Sequence, residues 1–386
     1  MNWTMRPWAV GLLPVFLMGC ADRDEARRYP ESQLASPSGR VEVANDDGPL
    51  WSSEFSWRLT EDLVLGAWGD EMEFGFINGI QTDGRGRLYV SDLFAHRILV
   101  FEPCGTLSFT IGGRGEGPGE FGRVGGMVVA PGDTLLVTDA ALSRYSVFAP
   151  DGTFVRSYQR HVFGSYEGQA GVFLESGDFL DWGYGEISLP GAGLQYTYRP
   201  VRVVEDFRSL EWFPSVDFPM EMTDGGRPQV FFAAALWVHL DSRGAVWFAN
   251  GREYRVSRRR LDGDTTLTFT LPVTPATVLP SERESIPDVL YLRGLSQTKP
   301  VIHGITGNNM GHIFVLPEEE GVPAGTALDV FEDSGVYLGR VALPRRVVLH
   351  GRGSTLVATG SHIYYVWENE MGVHGVARAA IHDGSS

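Results

Sequence analysis

Lysine is almost missing: Lys299 is the only one in 386 residues, so nearly all of the 32 basic side chains are arginine. Positive charge of that kind suits fixed, forked pairing with carboxylates better than mobile point-charge binding. The basic residues are outnumbered by 48 acids, which gives a formal net charge of -16 at pH 7 and a pI near 5.0. So acidic a chain lacks the basic footprint that nucleic acid or an anionic membrane surface requires. Cysteine is scarce as well, and Cys20 and Cys104 allow at most one disulfide. Cys104 falls in the turn EPCG where a later copy of the same pattern has APDG, so it reads as a turn residue and not as a nucleophile. The apolar run from Pro7 to Met18 is too short to cross a bilayer. There is no Gly-x-Ser-x-Gly elbow, and the Gly-rich run Gly112 to Gly122 lacks the Lys-Ser/Thr ending of a phosphate-binding loop.

What is present is a repeat. The stretch GIQTDGRGRLYVSDLFAHRILVFEPCG (Gly79 to Gly105) is answered by GMVVAPGDTLLVTDAALSRYSVFAPDG (Gly126 to Gly152) at a fixed offset of 47, which sets Asp92 on Asp139, Arg97 on Arg144 and Phe101 on Phe148. Within each copy, short β-rich runs are broken by Gly- and Asp-containing turns, the pattern of hairpins. A degraded third copy has SGDFLDWG (Ser176 to Gly183) and RPVRVVEDF (Arg199 to Phe207), and a fourth, DSRGAVWFAN (Asp241 to Asn250), matches the first at an offset of 158. A fifth has GNNMGHIFVLP (Gly307 to Pro317) and ALDVFEDSG (Ala327 to Gly335), and a sixth supplies three strands between Ser354 and Ile381.

A period of roughly 40 to 50 residues, whose unit cannot bury its own faces, marks a propeller blade. Second strands begin near Leu88, Leu135, Phe179, Val246, Ile313 and Ile363, so the count is six. The predicted fold is an all-β, six-bladed β-propeller of four-stranded antiparallel blades. Glu61 to Gly75 parallels Ser108 to Gly122, so an N-terminal strand is expected to complete the last blade and close the ring. Insertions fall at Phe213 to Gln229 and Thr274 to Pro300; in the second, Ser281 followed by Glu284 ahead of IPDVLYLRGLS predicts a short helix.

Residues 1–20 read as a signal peptide, with Arg6 before the apolar run and Leu17-Met18-Gly19-Cys20 at its end. That ending resembles the lipobox of bacterial lipoproteins, which implies acylation of Cys20, and Ala21 after it resembles lipoproteins sent to the outer membrane. Residues 21–53 are polar and rich in Pro, Ser, Gly and Asp, the composition of a flexible tether, and 54–382 form the propeller. The expected location is the bacterial cell envelope, at the outer membrane facing the periplasm, with the membrane touched through the lipid alone.

The residues GRGEGPGEFGRVGGMVV followed by TLLVTDAALSRYSVFAPDG resemble NHL-type repeats and the TolB-like six-bladed propeller lipoproteins of bacteria, over roughly Trp57 to Ile381. The resemblance implies the blade count and the closure. It implies no single activity, because propellers host binding proteins, lactonases, lyases and scaffolds alike.

Asp92, Asp139, Asn250 and Glu368 take equivalent positions at the end of second strands, and Arg97, Arg144 and Arg255 follow the first three by five residues. Two readings stand for them. Either each acid caps its own turn and pairs with its arginine, or the set forms a polar ring at the mouth of the axis, on the face that carries the blade-to-blade loops. Tyr184, Trp212 and Tyr291 are the aromatic candidates for the rim of that face. His239, His303 and His350 share no repeat position, which argues against a zinc site. Lactonase-type propellers hold calcium with Glu, Asn and Asp around the axis, a set that Asp92, Asp139, Asn250 and Glu368 could imitate. The expectation is a monomeric module that binds a protein partner or an extended ligand across the loop face, with no cofactor. The alternative is a calcium-dependent hydrolase or lactonase that uses the polar ring.

Overall fold

The computed structural model describes residues 33–35, 39–52, 56–66, 73–161, 171–184, 195–204, 207, 209–219, 232, 234–286, 295–348, 355–369 and 371–383. The signal peptide with Cys20 lies outside these residues, as do Tyr291 and His350. Six sheets follow one another along the chain, each an antiparallel meander that runs outward from its first strand. Blade one is Ile77–Thr82, Leu88–Asp92, Arg97–Phe101 and Leu107–Gly112. Blade two is Val124–Ala130, Thr134–Asp139, Arg144–Phe148 and Phe154–Gln159. Blade three is Val172–Phe173, Phe179–Tyr184, Gln195–Val204 and Ser209–Trp212, with Val216–Pro219 folding back on its long third strand. Blade four is Leu236–Leu240, Ala245–Asn250, Arg255–Arg260 and Thr265–Thr270. Blade five is Ile302–Gly307, His312–Pro317, Ala327–Glu332 and Tyr337–Ala342.

Blade six takes Leu356–Ala358, His362–Glu368 and His374–His382 from the C-terminal part of the chain and its outer strand, Arg58–Leu65, from the N-terminal part. Leu65 pairs with Val376 and Arg58 with His382, so the ring closes as the sequence predicts.

Local chemistry starts each hairpin. The Asp83 carboxylate accepts from the N–H of Arg85 (3.0 Å) and Arg87 (2.9 Å). Asp241 accepts from Arg243 (3.0 Å) and Ala245 (2.8 Å), and Asn308 from Met310 (3.0 Å) and His312 (3.0 Å). These Asx turns pin the first strand of a blade to its second. At the third-to-fourth turn, Gly105 and Gly152 have φ of 88° and 84°, and a Cβ at either would lie within 2.6 Å of Leu63 or Phe109 on the outer strand of the preceding blade. Glycine is therefore required there both by the turn and by the contact.

The core is a cycle of interfaces. Because side chains alternate along a strand, each second strand serves two neighbours. Leu88 and Val90 pack with Tyr364 and Val366 of blade six, whereas Tyr89 packs with Met127 and Leu135 of blade two. Ile313 and Val315 face blade four, and Phe314 and Leu316 face blade six. The remaining two clusters join blades two with three and three with four. Each fully buried apolar side chain in such an interface contributes about 1.5–3 kcal/mol.

Two expectations are corrected. Part of the stretch expected to be a tether lies along the propeller: Val41–Ala44 pairs in parallel with Leu267–Thr270 on the outer edge of blade four, and Gln33–Ala35 pairs with it in turn. Asn45 then donates to the carbonyls of Thr270 (3.0 Å) and Gly335 (3.1 Å) and accepts from the Tyr337 N–H (2.8 Å), and Trp51 lies over Gly339 of blade five. The polar composition concealed a period-two segment, VEVAN, whose Val43 and Asn45 are buried. Second, the helix covers Pro280–Glu284 and so precedes IPDVLYLRGLS, because Pro280 starts it and Glu282 accepts from the Leu279 N–H (2.8 Å).

Candidate functional site

On the loop face, the repeated acids turn out to hold the loops in place. Asp92 is buried and accepts from the N–H groups of Gly75 (3.2 Å), Phe76 (3.2 Å) and Ala95 (3.3 Å), with Arg97 Nη2 at 3.4 Å. Asp139 repeats this one blade on. It accepts from Gly122 (2.9 Å), Arg123 (3.0 Å), Ala141 (3.2 Å) and Leu142 (3.1 Å), with Arg144 Nε at 3.9 Å. Each carboxylate thus ties the turn after a second strand to the connector that enters its own blade. Arg144 adds a clamp on the Gly-rich connector by donating to the carbonyls of Glu116 (3.0 Å), Gly117 (3.0 Å) and Glu120 (2.7 Å). The capping reading therefore accounts for the geometry of both pairs.

The other candidates do not converge with them. Asn250 is exposed and accepts from the Arg252 N–H (2.9 Å), and Arg255 pairs with Glu253 at 3.5 Å. Glu368 has its side chain 46% exposed, with His374 Nε2 at 3.9 Å. Trp212 lies on the outer strand of blade three under the Arg199 guanidinium, and for Tyr184 only the backbone is described. Among the described residues no three metal-ligating side chains come together. A calcium ring of Asp92, Asp139, Asn250 and Glu368 thus finds two of its members engaged by backbone N–H groups and the other two turned outward.

Beside these polar groups, two large apolar side chains stand exposed on this face. Phe94, in the turn locked by Asp92, is 69% exposed, and Met371, in the corresponding turn of neighbouring blade six, is 62% exposed. Asn369 fixes the second turn by accepting from the N–H of Met371 (2.9 Å) and Val373 (2.9 Å). The Phe76 ring centroid lies 5.3 Å from those of Phe94 in the first turn and of His374, which opens the strand after the second.

Elsewhere, buried carboxylates form Arg–Asp–Tyr clusters between blades. Asp181 accepts from Tyr145 Oη (2.5 Å) and Arg160 (2.9 and 3.1 Å), and Asp329 accepts from Tyr254 (2.6 Å), Tyr337 (3.1 Å) and Arg340 (2.7 and 3.0 Å). Burial, reinforced by the adjacent carboxylates, pushes the phenols of Tyr145 and Tyr254 up, so they stay protonated donors. Lys299 bridges Glu282 of the helix (2.6 Å) and Glu318 (3.2 Å), and Glu318 also meets His303 Nε2 at 2.8 Å. Burial alone would raise the Glu318 pKa, but His303 and Lys299 outweigh it and hold the carboxyl below its ordinary value.

A cavity of about 860 Å3 runs along the axis. It reaches the first-to-second-strand turns, at the end opposite the loop face, where Asp83, Asp133, Glu175, Asp241, Asn308 and Gly360 line it. Sequence reading passed over that end because its Asp-Gly turns look generic. A usable signal was present: Gln81, His239 and Thr306 occupy one repeat position of the innermost strands.

A family model described as a 6-bladed beta-propeller matches residues 69–147. A crystal structure of a Bacteroides fragilis protein, provisionally named as exported, is similar over 89% of this chain and 100% of its own at 11% identity and a TM-score of 0.52. A Bacteroides vulgatus protein (12% identity, 85% and 99% of the two chains, TM-score 0.48) and a gluconolactonase from Xanthomonas campestris (11%, 83% and 98%, 0.45) are also similar. The likeness is one of fold. No curated protein matches the sequence.

Asp139→Ala is expected to cost about 3 kcal/mol in urea unfolding, because it strands backbone N–H donors in a buried site. The fold separates that effect from a role in catalysis: the loss appears without any ligand. Glu318 contributes stability above its unfolded pKa, and that contribution is lost as pH falls through its lower folded value. Between about pH 5 and pH 3, Glu318→Gln protein should therefore lose less stability than wild type, as read by melting temperature.

Proposed function

We propose that this chain is a lipid-anchored, extracytoplasmic binding module whose loop face captures a protein partner. The observation that carries this reading is the exposed pair Phe94 and Met371, presented on neighbouring blades by turns that Asp92 and Asn369 hold rigid. Large apolar side chains on preorganised loops, with a charged neighbour in Glu368, have the composition of an interface hot spot. They lack the composition of a hydrolytic centre, since the acids of this face that are buried are engaged in structure.

Anchoring rests on Leu17-Met18-Gly19-Cys20. A single acyl chain binds a membrane only marginally, at about 0.8 kcal/mol per buried methylene, so stable attachment needs more than one. Cys20→Ser should yield protein without the acyl mass and release it from the membrane fraction. An unacylated N-terminus in wild type, read by intact mass, sinks the anchor.

For the loop face, cross-linking in cells followed by mass spectrometry should join wild type to a reproducible partner through peptides that include Phe94 or Met371. The Phe94→Ser/Met371→Ser protein, with unchanged melting temperature, should lose that partner by at least about tenfold. Equal recovery by both proteins refutes the reading, and stoichiometric calcium by elemental analysis would favour the hydrolase alternative.

A further inference from the structure

One register position recurs on the innermost strand of every blade. Gln81, Val128 and Val172 pair with Tyr89, Leu136 and Leu180, and His239, Thr306 and Val357 pair with Trp247, Phe314 and Tyr364. All six residues line the axial cavity, so they form a single layer across it. Round the ring, Val128 and Val172 are neighbours on blades two and three, and His239 and Thr306 are neighbours on blades four and five. Across the axis, Thr306 stands opposite Val128, His239 opposite Gln81 and Val357 opposite Val172.

The polar members keep hydrogen-bonding capacity in hand. Gln81 Oε1 accepts from the Thr82 N–H (3.3 Å), which leaves its amide nitrogen for other partners. Neither His239 nor Thr306 makes a side-chain hydrogen bond to another described residue. Room for the imidazole comes from Gly307, where a Cβ would stand 2.7 Å from His239 Nε2. Burial lowers the His239 pKa to about 4 in spite of nearby Asp241, so the ring is neutral and offers one donor and one acceptor. The volume of about 860 Å3 falls within the range of small-molecule sites. At the turn end of the cavity, Asp83, Asp133 and Asp241 are paired with Arg87 (2.7 Å), Arg85 (3.0 Å) and Arg243 (3.5 Å), which leaves Glu175 as the uncompensated charge in the wall, a balance that offers an anion no unpaired cation among the described lining residues.

We propose that the axial cavity is a second binding site, separate from the loop face, for a small uncharged molecule with an apolar body and a hydrogen-bonding group. Val128, Val172 and Val357 pack against the body, and the adjacent His239 and Thr306 bind the polar group, with Gln81 a further partner across the cavity. An occupant that displaces water from His239, Thr306 and Gln81 without bonding to them leaves those groups unpaired, so this layer selects for both halves of the molecule.

The test uses two dyes with one skeleton, neutral N-phenyl-1-naphthylamine and its anionic sulfonate, 8-anilino-1-naphthalenesulfonate. The full-length protein should bind the neutral dye saturably at one site, with the anion at least about tenfold weaker. Val357→Trp, which fills the cavity, should abolish binding with little change in melting temperature. The near-isosteric Thr306→Val and the His239→Leu variants should each weaken binding by about three- to tenfold. No saturable binding of the neutral dye to wild type overturns the proposal, as does equal affinity for the two dyes. Binding that survives Val357→Trp but disappears in Phe94→Ser/Met371→Ser also overturns it, and assigns the dye to the loop face. Loss of the protein partner in that loop-face variant with dye binding intact leaves the cavity site standing.

Discussion

Everything in this molecule depends on the two-sidedness of a β-strand. A sheet whose second strand reads Leu88-Tyr89-Val90 is apolar on both faces and is stable only between two others. That requirement, met by every blade, permits no first and no last member. The six apolar clusters therefore form a cycle, and the cycle explains why an N-terminal strand is found in the last blade.

The polar chemistry follows from the same constraint. Blades that pack face to face bury the ends of their strands, and every buried carboxylate must find donors there. Asp92 and Asp139 find them in the backbone of connectors, Asp83 and Asp241 in the hairpins, and Asp181 and Asp329 in Arg–Tyr clusters between blades. With arginine supplying almost all the positive charge, the pairings are forked and geometrically fixed. The consequence is that the most regularly repeated acids are the least available ones, and the two proposed sites rest on residues that break the repeat: Phe94, Met371 and His239.

That contrast also explains what could be read from the sequence. Blade count, strand positions and ring closure were legible, since the offset of 47 and the Asp-Gly turns are local signals of a local geometry. The roles of Asp92 and Asp139 were legible only as a pair of options, because capping a turn and lining a mouth require the same residue type at the same position. The strap over blades four and five was not legible. Its pairing of Val41–Ala44 with Leu267–Thr270 and the fit of Trp51 over Gly339 are long-range contacts that a short polar segment does not advertise. The cavity layer lay hidden for a different reason: its six positions share a register but mix polar and apolar residues without a pattern, so that only the alignment of all six innermost strands joins them.

Closure by the chain's two ends also sets an order in time. Arg378 holds Asp62 across 316 residues of sequence, and the strand Arg58–Leu65 is synthesised long before its partner His374–His382. Contacts so distant in sequence carry the full loop-closure cost before they return any stabilisation. Five blades can stack as they emerge, with four interfaces between them, but the two interfaces of blade six have to wait for His374–His382. Until then the nascent protein is an open arc with an apolar edge at each end, and whatever machinery handles it must keep those edges apart from other chains.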